Sequence, residues 1–293
     1  HGATTITWFA SRMSGVAFSF TAHAKDIYQV DQNPGDLLAR KLDAARFVAT
    51  CTDANRQHLA ERFPDAKPVH TIYHGLDTGY FAPAATGDEA VPLILAVGRF
   101  VEKKGLRYLV EALTQLRASG RQFRAVLVGE DGGEAPLLRR MIDEGGLAEH
   151  VTLREPMDHR ALRALYAEAA VFALPCLVAA DGDRDGIPNV IAEAMAMGVA
   201  IVTTRVSGIP EIVRDGRNGV LVPERDAQAL AGALQTLLDD PARRRALGAA
   251  ARGTICDCFD SSVTTRSLLQ LFEREMAGEP AFCCPAHAAT VEA

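Results

Sequence analysis

The stretch DGDRDGIPNVIAEAMAMGVAIVTT, from Asp181 to Thr204, decides most of what the sequence says about fold. It predicts an acidic loop, a helix that begins near Pro188 and ends at Gly198, and then a buried strand, because proline suits a first helical turn and glycine commonly ends a helix. In a parallel sheet such a helix begins at the carboxyl ends of the strands. Its free backbone N–H groups can bind a phosphate there.

The first turn of this helix supplies the candidate phosphate ligands. We expect the backbone N–H groups of Ile187, Asn189 and Val190 to point toward a bound anion. Glu193 lies about one turn further along the helix. A carboxylate at that depth can accept two hydrogen bonds from a ribose diol, as acidic residues do in dinucleotide-binding folds.

On both sides of this stretch, short β-branched or aromatic runs alternate with helical patterns, which is typical of βαβ units around parallel sheets. Three candidate strands lie upstream, and a stretch at 81–92 rich in Ala, Pro, Gly and acids predicts an interdomain linker. Six candidate strands follow, enough for a complete doubly wound domain. The nine candidates are 17–21, 46–50, 70–74, 93–97, 124–128, 150–154, 171–174, 199–204 and 219–222.

The predicted architecture is therefore α/β, with two Rossmann-like doubly wound domains of which the first is incomplete. We expect a partial first domain, a second domain, a C-terminal helix and a flexible tail. Their predicted ranges are 1–88, 89–255, 256–277 and 278–293. The chain begins with His1 inside a helical pattern, which indicates a fragment of a longer protein.

Composition narrows the function class. Hydrophobic residues make up 48% and charged residues 23% of the chain, which are ordinary globular values. A formal net charge of −6 argues against a general nucleic-acid binder. The apolar run at 171–180 is well short of the ~20 residues that cross a bilayer, and no signal peptide opens the chain. We expect a soluble, cytoplasmic protein without a disulfide framework.

A second constellation begins at Ala96 with AVGRFVEKKGLRYLVEAL. Arg99 follows a predicted strand, and Lys104 lies just before the next predicted helix. A guanidinium and an ammonium group in these places can neutralise a diphosphate leaving group as its bond breaks. The alternative is that both residues are solvated surface cations.

Together these motifs resemble a known family. VGRFVEKKG at 97–105, DGIPNVIAEAMAMG at 185–198 and VSGIPEIV at 206–213 are similar to the donor half of the retaining glycosyltransferases of family 4, which have the GT-B fold. FTAHAKDIY at 20–28 and HGLDTGYF at 74–81 resemble the family's acceptor-side histidine loop and hinge strand. The GDRD before the second motif resembles a subgroup that makes bacterial exopolysaccharides.

The resemblance implies a role for particular residues. His23 matches the histidine that faces the sugar, with a packed histidine at a strand end as the alternative, and Asp185 stands where the family usually has a catalytic Glu. Because Asp is one methylene shorter, direct contact between Asp185 and the donor sugar stays open. The donor-binding positions implied by the family are Arg99, Lys104, Gly186, Ile187, Pro188, Asn189 and Glu193, with Glu193 on the ribose.

The resemblance also implies a reaction. A hexosyltransferase of this kind moves a sugar from a nucleotide-diphosphate sugar to a hydroxyl of a glycan or lipid-linked acceptor, with no protein nucleophile, no obligatory metal and no cofactor beyond the donor. A lipid-linked acceptor is compatible with peripheral contact at the inner membrane face. Since the opening strands of the first domain are absent, we expect 89–255 to fold and bind nucleotide while the chain as given lacks transfer activity.

Two metal alternatives are open. Asp181, Asp183 and Asp185 spell the start of a calcium loop, but the twelfth position is Ala192, and the DRD sequence could also mimic a metal-binding DxD. A zinc site near the C-terminus would have irregular spacing. Its candidate ligands are Cys256, Cys258, Cys283, Cys284 and His287.

Two other function classes are also open. One is another GT-B enzyme, either a nucleotide-sugar epimerase, which needs no acceptor, or a phosphorylase, which forms sugar 1-phosphate from orthophosphate. The other is an inactive or non-enzymatic sugar-nucleotide-binding protein, whose mark would be donor binding without turnover.

Overall fold

The computed structural model describes residues 2–83 and 91–277, with the backbone alone at Val30. Most of the predicted linker at 81–92 and all of the predicted tail at 278–293 lie outside the described residues, as do Cys283, Cys284 and His287 of the zinc alternative.

The first unit, residues 2–83, holds a sheet of three parallel strands in the order β1-β2-β3. Its core includes the buried side chains of Trp8, Phe18 and Leu42. The elements are α1 (Gly2–Ser14), β1 (Phe20–Ala22), α2 (Ala24–Tyr28), a 3-10 turn (Val30–Gln32), α3 (Leu37–Ala44), β2 (Val48–Thr50), α4 (Asp53–Arg62) and β3 (Val69–Thr71).

The second unit, residues 91–258, holds six parallel strands in the order β6-β5-β4-β7-β8-β9. The elements up to β7 are β4 (Leu93–Val97), a 3-10 turn (Glu102–Lys104), α5 (Leu106–Ala118), β5 (Arg124–Val128), α6 (Ala135–Glu144), β6 (Val151–Arg154), α7 (His159–Glu168) and β7 (Ala169–Leu174). Those after β7 are α8 (Asn189–Ala196), β8 (Ala200–Thr204), α9 (Ile209–Ile212), β9 (Val220–Val222), α10 (Ala227–Asp239) and α11 (Pro241–Cys258).

This strand order confirms the predicted doubly wound α/β architecture of the second unit. The chain adds strands on one side of β4 and then crosses to the other side, so the order reverses between β4 and β7. Every residue of β4 is buried, as a strand covered by helices on both faces requires. In open α/β sheets, ligands bind at the carboxyl ends of the strands where the order reverses.

A last helix, α12 (Ser261–Ala277), leaves the second unit and packs against the first. The ring of Phe272 meets the ring of Phe47 edge-on, with their centroids 5.0 Å apart. The carboxylate of Glu275 lies 3.7 Å from the imidazole of His70. Across residues 2–83 and 91–277, none of the helices combines the length and the apolar character that a bilayer span requires.

Candidate functional site

Two loops leave the sheet at the point where the strand order reverses. The loop after β4 covers 98–105 and carries Arg99, Lys103 and Lys104, while the loop after β7 covers 175–188 and carries the acidic residues. Because both loops follow the carboxyl ends of adjacent parallel strands, they meet at one edge of the sheet.

Ion pairs connect these two loops. The Lys104 Nζ lies 2.6 Å from a carboxylate oxygen of Asp185, and the Lys103 Nζ lies 3.3 Å from the other oxygen. Lys103 also pairs with Asp183 at 3.1 Å. Burial by itself raises the pKa of Asp185, but the two ammonium groups outweigh it and hold the pKa below the ordinary value. The structure therefore places two cations and an ionised carboxylate together.

These pairs also account for the acidic loop that suggested calcium. Both Asp183 and Asp185 use their carboxylates to hold lysines. Asp181 accepts a hydrogen bond from the backbone N–H of Asp183 at 2.8 Å. The loop is thus organised by lysines and by its own backbone.

The helix α8 begins four residues after Asp185, the carboxylate that pairs with both lysines. Pro188 occupies the N-cap position, where its side chain offers no cap to the helix. Within residues 2–83 and 91–277, the backbone N–H groups of Ile187, Asn189 and Val190 have no hydrogen-bond acceptor. Free amides at a helix N-terminus, close to two lysines, form a site suited to a phosphate group.

Glu193 lies one turn deeper in α8 and is only 8% exposed. One of its carboxylate oxygens accepts a hydrogen bond of 2.9 Å from the hydroxyl of Tyr166, a fully buried residue of α7. Burial raises the pKa of Glu193, while the Tyr166 hydroxyl opposes that rise. The ribose-binding role of Glu193 stays a prediction, and Tyr166 is the partner that orients its carboxylate.

Arg99 differs from the lysines in its surroundings. Its side chain is exposed on the loop after β4, and no contact with the ion-pair cluster is found in the part of the chain that the structure describes. It is free to move toward a ligand at the sheet edge. Its role in a donor-phosphate clamp stays a prediction.

The first unit contributes histidines to the same region. His23 begins α2 as its N-cap, is exposed, and its ring centroid lies 5.4 Å from that of His74. The side chain of His74 hydrogen-bonds that of Asn189, at the start of α8. Burial and the nearby His23 lower the pKa of His74, and the Asn189 hydrogen bond opposes that change. The predicted residues His23 and Asn189 therefore lie on opposite sides of one cleft, linked through His74.

Glycines let the two units approach closely at this cleft. A side chain on Gly186 would contact Thr52, whose methyl group would lie 3.0 Å from its Cβ. Gly208, before α9, is closer still to Thr52, where a Cβ would lie 2.6 Å from the threonine methyl group. Any larger residue at Gly208 would force the units apart.

Glu211 contacts the first unit through three hydrogen bonds. Its carboxylate accepts hydrogen bonds from the backbone N–H groups of Asp53 at 2.7 Å and Ala54 at 2.9 Å, and from the Tyr73 hydroxyl at 2.9 Å. A carboxylate at the start of α4 also complements the helix dipole. Burial raises the pKa of Glu211, and these hydrogen bonds oppose that rise.

A cation–π contact also joins Arg184 to the first unit. The guanidinium carbon of Arg184 lies 4.2 Å from the centre of the Tyr28 ring. The motifs that contain Arg184, Glu211 and Lys103 are visible in the sequence, but they predicted no contact for these three residues. The signal for Lys103 was present in the sequence as a second lysine beside Lys104.

Comparison with known proteins bears on this site. The family model described as Glycosyl transferases group 1 matches residues 91–240, from the segment before β4 through α10. This range contains the loop after β4 that carries the two lysines, the acidic loop after β7 and all of α8.

Curated relatives extend the match. The amylovoran biosynthesis glycosyltransferase AmsK of Erwinia amylovora is 38% identical over 181 residues, which are 62% of this chain and 44% of AmsK. A GDP-mannose-dependent alpha-(1-6)-phosphatidylinositol monomannoside mannosyltransferase of Mycolicibacterium smegmatis is 34% identical over 222 residues, which are 72% of this chain and 56% of that protein. The chain spans about half the length of the curated relatives it matches.

A solved structure gives the fold. The crystal structure of Anabaena Alr3699/HepE in complex with UDP superimposes with a TM-score of 0.81 at 21% sequence identity, covering 93% of this chain and 76% of that one. The predicted GT-B fold is thereby confirmed for this chain.

Proposed function

The chain belongs to the glycosyl transferases group 1 family, and from this premise we propose that it binds a nucleotide-diphosphate sugar and transfers the sugar to an acceptor hydroxyl. One observation carries the proposal: the unpartnered amides at the start of α8 closely follow Asp185, which holds Lys103 and Lys104 where the strand order reverses. A diphosphate needs this combination of directed N–H donors and mobile positive charge.

The donor occupies the sheet edge of the second unit in this proposal. Its diphosphate accepts hydrogen bonds from the backbone of Ile187, Asn189 and Val190, and Glu193 accepts hydrogen bonds from the ribose hydroxyls. Lys104 exchanges its pairing with Asp185 for one with a phosphate oxygen, and Arg99 moves in from solvent. Asp185 is then a positioning group that keeps both lysines at the site.

The reaction proceeds with retention at the anomeric carbon. The bond between that carbon and the diphosphate oxygen breaks, and the acceptor oxygen bonds to the same face of the sugar. The acceptor proton passes to an oxygen of the departing phosphate, so no protein nucleophile or obligatory metal is needed. The lysines and the α8 amides stabilise the negative charge that develops on the leaving group. His23 faces the sugar from the other side of the cleft.

The acceptor is a glycan or a lipid-linked saccharide in this proposal. One relative is named for amylovoran biosynthesis, and another for a phosphatidylinositol monomannoside, which is a lipid. A protein that acts on such acceptors works at the cytoplasmic face of the membrane, with peripheral contact through its acceptor. The donor nucleotide is either UDP, which the structural neighbour binds, or GDP, which the mannosyltransferase name specifies.

Donor turnover with water as the acceptor tests the function. The full chain is incubated with UDP-α-glucose or GDP-α-mannose, and the released sugar is followed by proton NMR before its anomers equilibrate. Retention predicts that the α anomer forms first. Lys104→Ala should slow the release by at least about tenfold because it removes a charged contact worth ~1.5–3 kcal/mol.

The control is Lys25→Ala, which removes an exposed lysine from α2. It should leave the rate within about twofold of the unsubstituted chain. First formation of the β anomer would contradict retention. Binding of a donor without any release of its sugar would match the expectation from the sequence that this chain lacks transfer activity. It would contradict the proposed transfer and favour a sugar-nucleotide-binding protein.

A further inference from the structure

Three potential metal ligands lie together in the cleft. They are the imidazole rings of His23 and His74 and the thiol of Cys51. Their ligand atoms, two nitrogens and one sulfur, all lie within 4.8 Å of one another. The residues come from the carboxyl ends of the three strands of the first unit: His23 directly follows β1, Cys51 directly follows β2, and His74 lies three residues beyond β3. The parallel register places those strand ends side by side.

The donor set has a clear chemical preference. Two imidazoles and one thiolate suit Zn²⁺ and similar thiophilic divalent cations, and three protein ligands leave a fourth position open. Ligand atoms around a tetrahedral Zn²⁺ lie ~3.4 Å apart at bond lengths of ~2.0–2.3 Å. The ligand atoms must therefore approach one another by about 1.4 Å at most, which small side-chain rotations can supply.

The surroundings of His74 support metal binding. Its hydrogen bond with Asn189 fixes the orientation of the ring, which is what outer hydrogen-bond partners do for metal-bound histidines. Cys51 is partly buried as a thiol, and coordination would release its proton to solvent as the sulfur–metal bond forms.

We propose that His23, Cys51 and His74 form a three-ligand site for Zn²⁺ or another thiophilic divalent cation, and that its occupation inhibits the chain. The inhibition rests on the proposed function, in which His23 faces the sugar. A metal-bound His23 cannot face the sugar, and Cys51 sits against the Gly186 loop, since a Cβ on Gly186 would lie 3.7 Å from its sulfur. The site is therefore regulatory and separate from the charge stabilisation supplied by the lysines.

Cobalt spectroscopy tests binding without any donor or turnover. The full chain is prepared with four other cysteines replaced by serine, so that Cys51 and the buried Cys176 are the thiols that remain. Co²⁺ should bind one to one and give a thiolate-to-metal charge-transfer band together with the strong visible bands of tetrahedral cobalt. Excess Zn²⁺ should abolish both signals. The background substitutions are Cys256→Ser, Cys258→Ser, Cys283→Ser and Cys284→Ser.

Single substitutions in that background assign the ligands. Cys51→Ser should remove the charge-transfer band, and His74→Gln should weaken Co²⁺ binding by at least about tenfold. Cys176→Ser is the matched control, because Cys176 is fully buried beside β7 and should leave the band in place. Unchanged near-ultraviolet circular dichroism shows that each variant is folded. The absence of a charge-transfer band, or its persistence in Cys51→Ser, would overturn the site.

Inhibition is measured separately. Donor hydrolysis should fall at least about tenfold when Zn²⁺ saturates the site, and a chelator should restore it. Cys51→Ser should be resistant to the same Zn²⁺ concentration. Equal inhibition of Cys51→Ser would contradict the regulatory role while leaving the cobalt result intact. Failure of donor turnover would count against the proposed function and would leave the cobalt result unaffected.

Discussion

Asp185 is the residue whose structural role differs most from its sequence-based expectation. The family resemblance made it a candidate for contact with the donor sugar, whereas the structure shows its carboxylate bridging Lys103 and Lys104. An aspartate reaches less far than the usual glutamate and is well suited to hold lysines on the neighbouring loop. Lys103 also pairs with Asp183, which lies 80 positions further along the sequence, so these ion pairs join one loop to the other.

The lowered pKa of Asp185 predicts a pH-dependent contribution to stability. Its ordinary value is 3.8, and the folded value is lower, so the stabilisation is present above pH 3.8 and is lost as the pH falls through the folded value. Asp185→Asn should lower the free energy of unfolding by ~1.5–3 kcal/mol near neutral pH. The difference from the unsubstituted chain should shrink below pH 3.8.

Urea unfolding at a series of pH values measures that difference. Asp181→Asn is the control, because it removes an exposed carboxylate from the same loop whose described contacts include neither lysine. A stability difference for Asp185→Asn that stayed constant down to the lowest pH would argue against the ion pairs.

Tyr166 gives a second residue-scale prediction. Its hydroxyl is fully buried and donates to Glu193, so Tyr166→Phe should lower the free energy of unfolding by ~1–2 kcal/mol and leave Glu193 without that donor. Donor affinity should fall along with it, since the carboxylate loses its orientation. Tyr108→Phe removes a hydroxyl from the half-exposed face of α5 and should change neither quantity. An unchanged donor affinity in Tyr166→Phe would mean that Glu193 does not bind the donor.

At the scale of elements, the sequence predicted the second unit better than the first. β4 and β5 have the predicted bounds, 93–97 and 124–128, because β4 is fully buried, β5 is buried after Arg124, and both contain continuous apolar runs. β1 covers Phe20–Ala22 where 17–21 was predicted, since Phe18 is buried beside the sheet without joining it. Short strands carry little periodicity, so their ends depend on tertiary packing.

The loop between β4 and α5 depends on one glycine. Gly105 has a φ of +64°, and a Cβ there would overlap the carbonyl oxygen of Pro175, at the start of the acidic loop. Gly105→Ala should lower the free energy of unfolding by about 3 kcal/mol or more and disturb the lysine–aspartate pairs.

Gly120, at the other end of α5, is the matched control. Its φ is +79°, and a Cβ there meets no described atom within 4 Å. Gly120→Ala should therefore lower the free energy of unfolding by about 1 kcal/mol, through backbone strain alone. Equal losses for the two variants in urea unfolding would mean that the close approach of Gly105 to Pro175 has no energetic weight.

At the scale of the whole molecule, the contacts between units could not be predicted from a single sequence. Glu211 and Asp53 are 158 residues apart, and nothing local marks Glu211 as the acceptor for the first amides of α4. The motif VSGIPEIV was visible, but its contact depends on how the two units face each other. The same holds for His74, which joins His23 to Asn189 across the cleft.

Glu211 should control how closely the units stay together. Glu211→Ala removes a carboxylate that accepts three hydrogen bonds across the cleft, so the closed arrangement should lose ~1.5–3 kcal/mol. Small-angle X-ray scattering should show a larger radius of gyration. Glu168→Ala, which removes a carboxylate paired with Arg124 inside the second unit, should leave the radius unchanged. An equally compact Glu211→Ala would contradict this role.

A nucleotide-diphosphate sugar should bind at the start of α8. Isothermal titration calorimetry of the full chain with UDP-, GDP- and ADP-sugars tests it most directly, with Lys104→Ala and Glu193→Ala as site variants and the exposed Arg140→Ala as the control. We expect that one nucleotide class binds and that both site variants weaken its binding by ~1–3 kcal/mol, while Arg140→Ala binds normally. Absence of binding by the folded chain, or binding that neither site variant weakens, would contradict the claim.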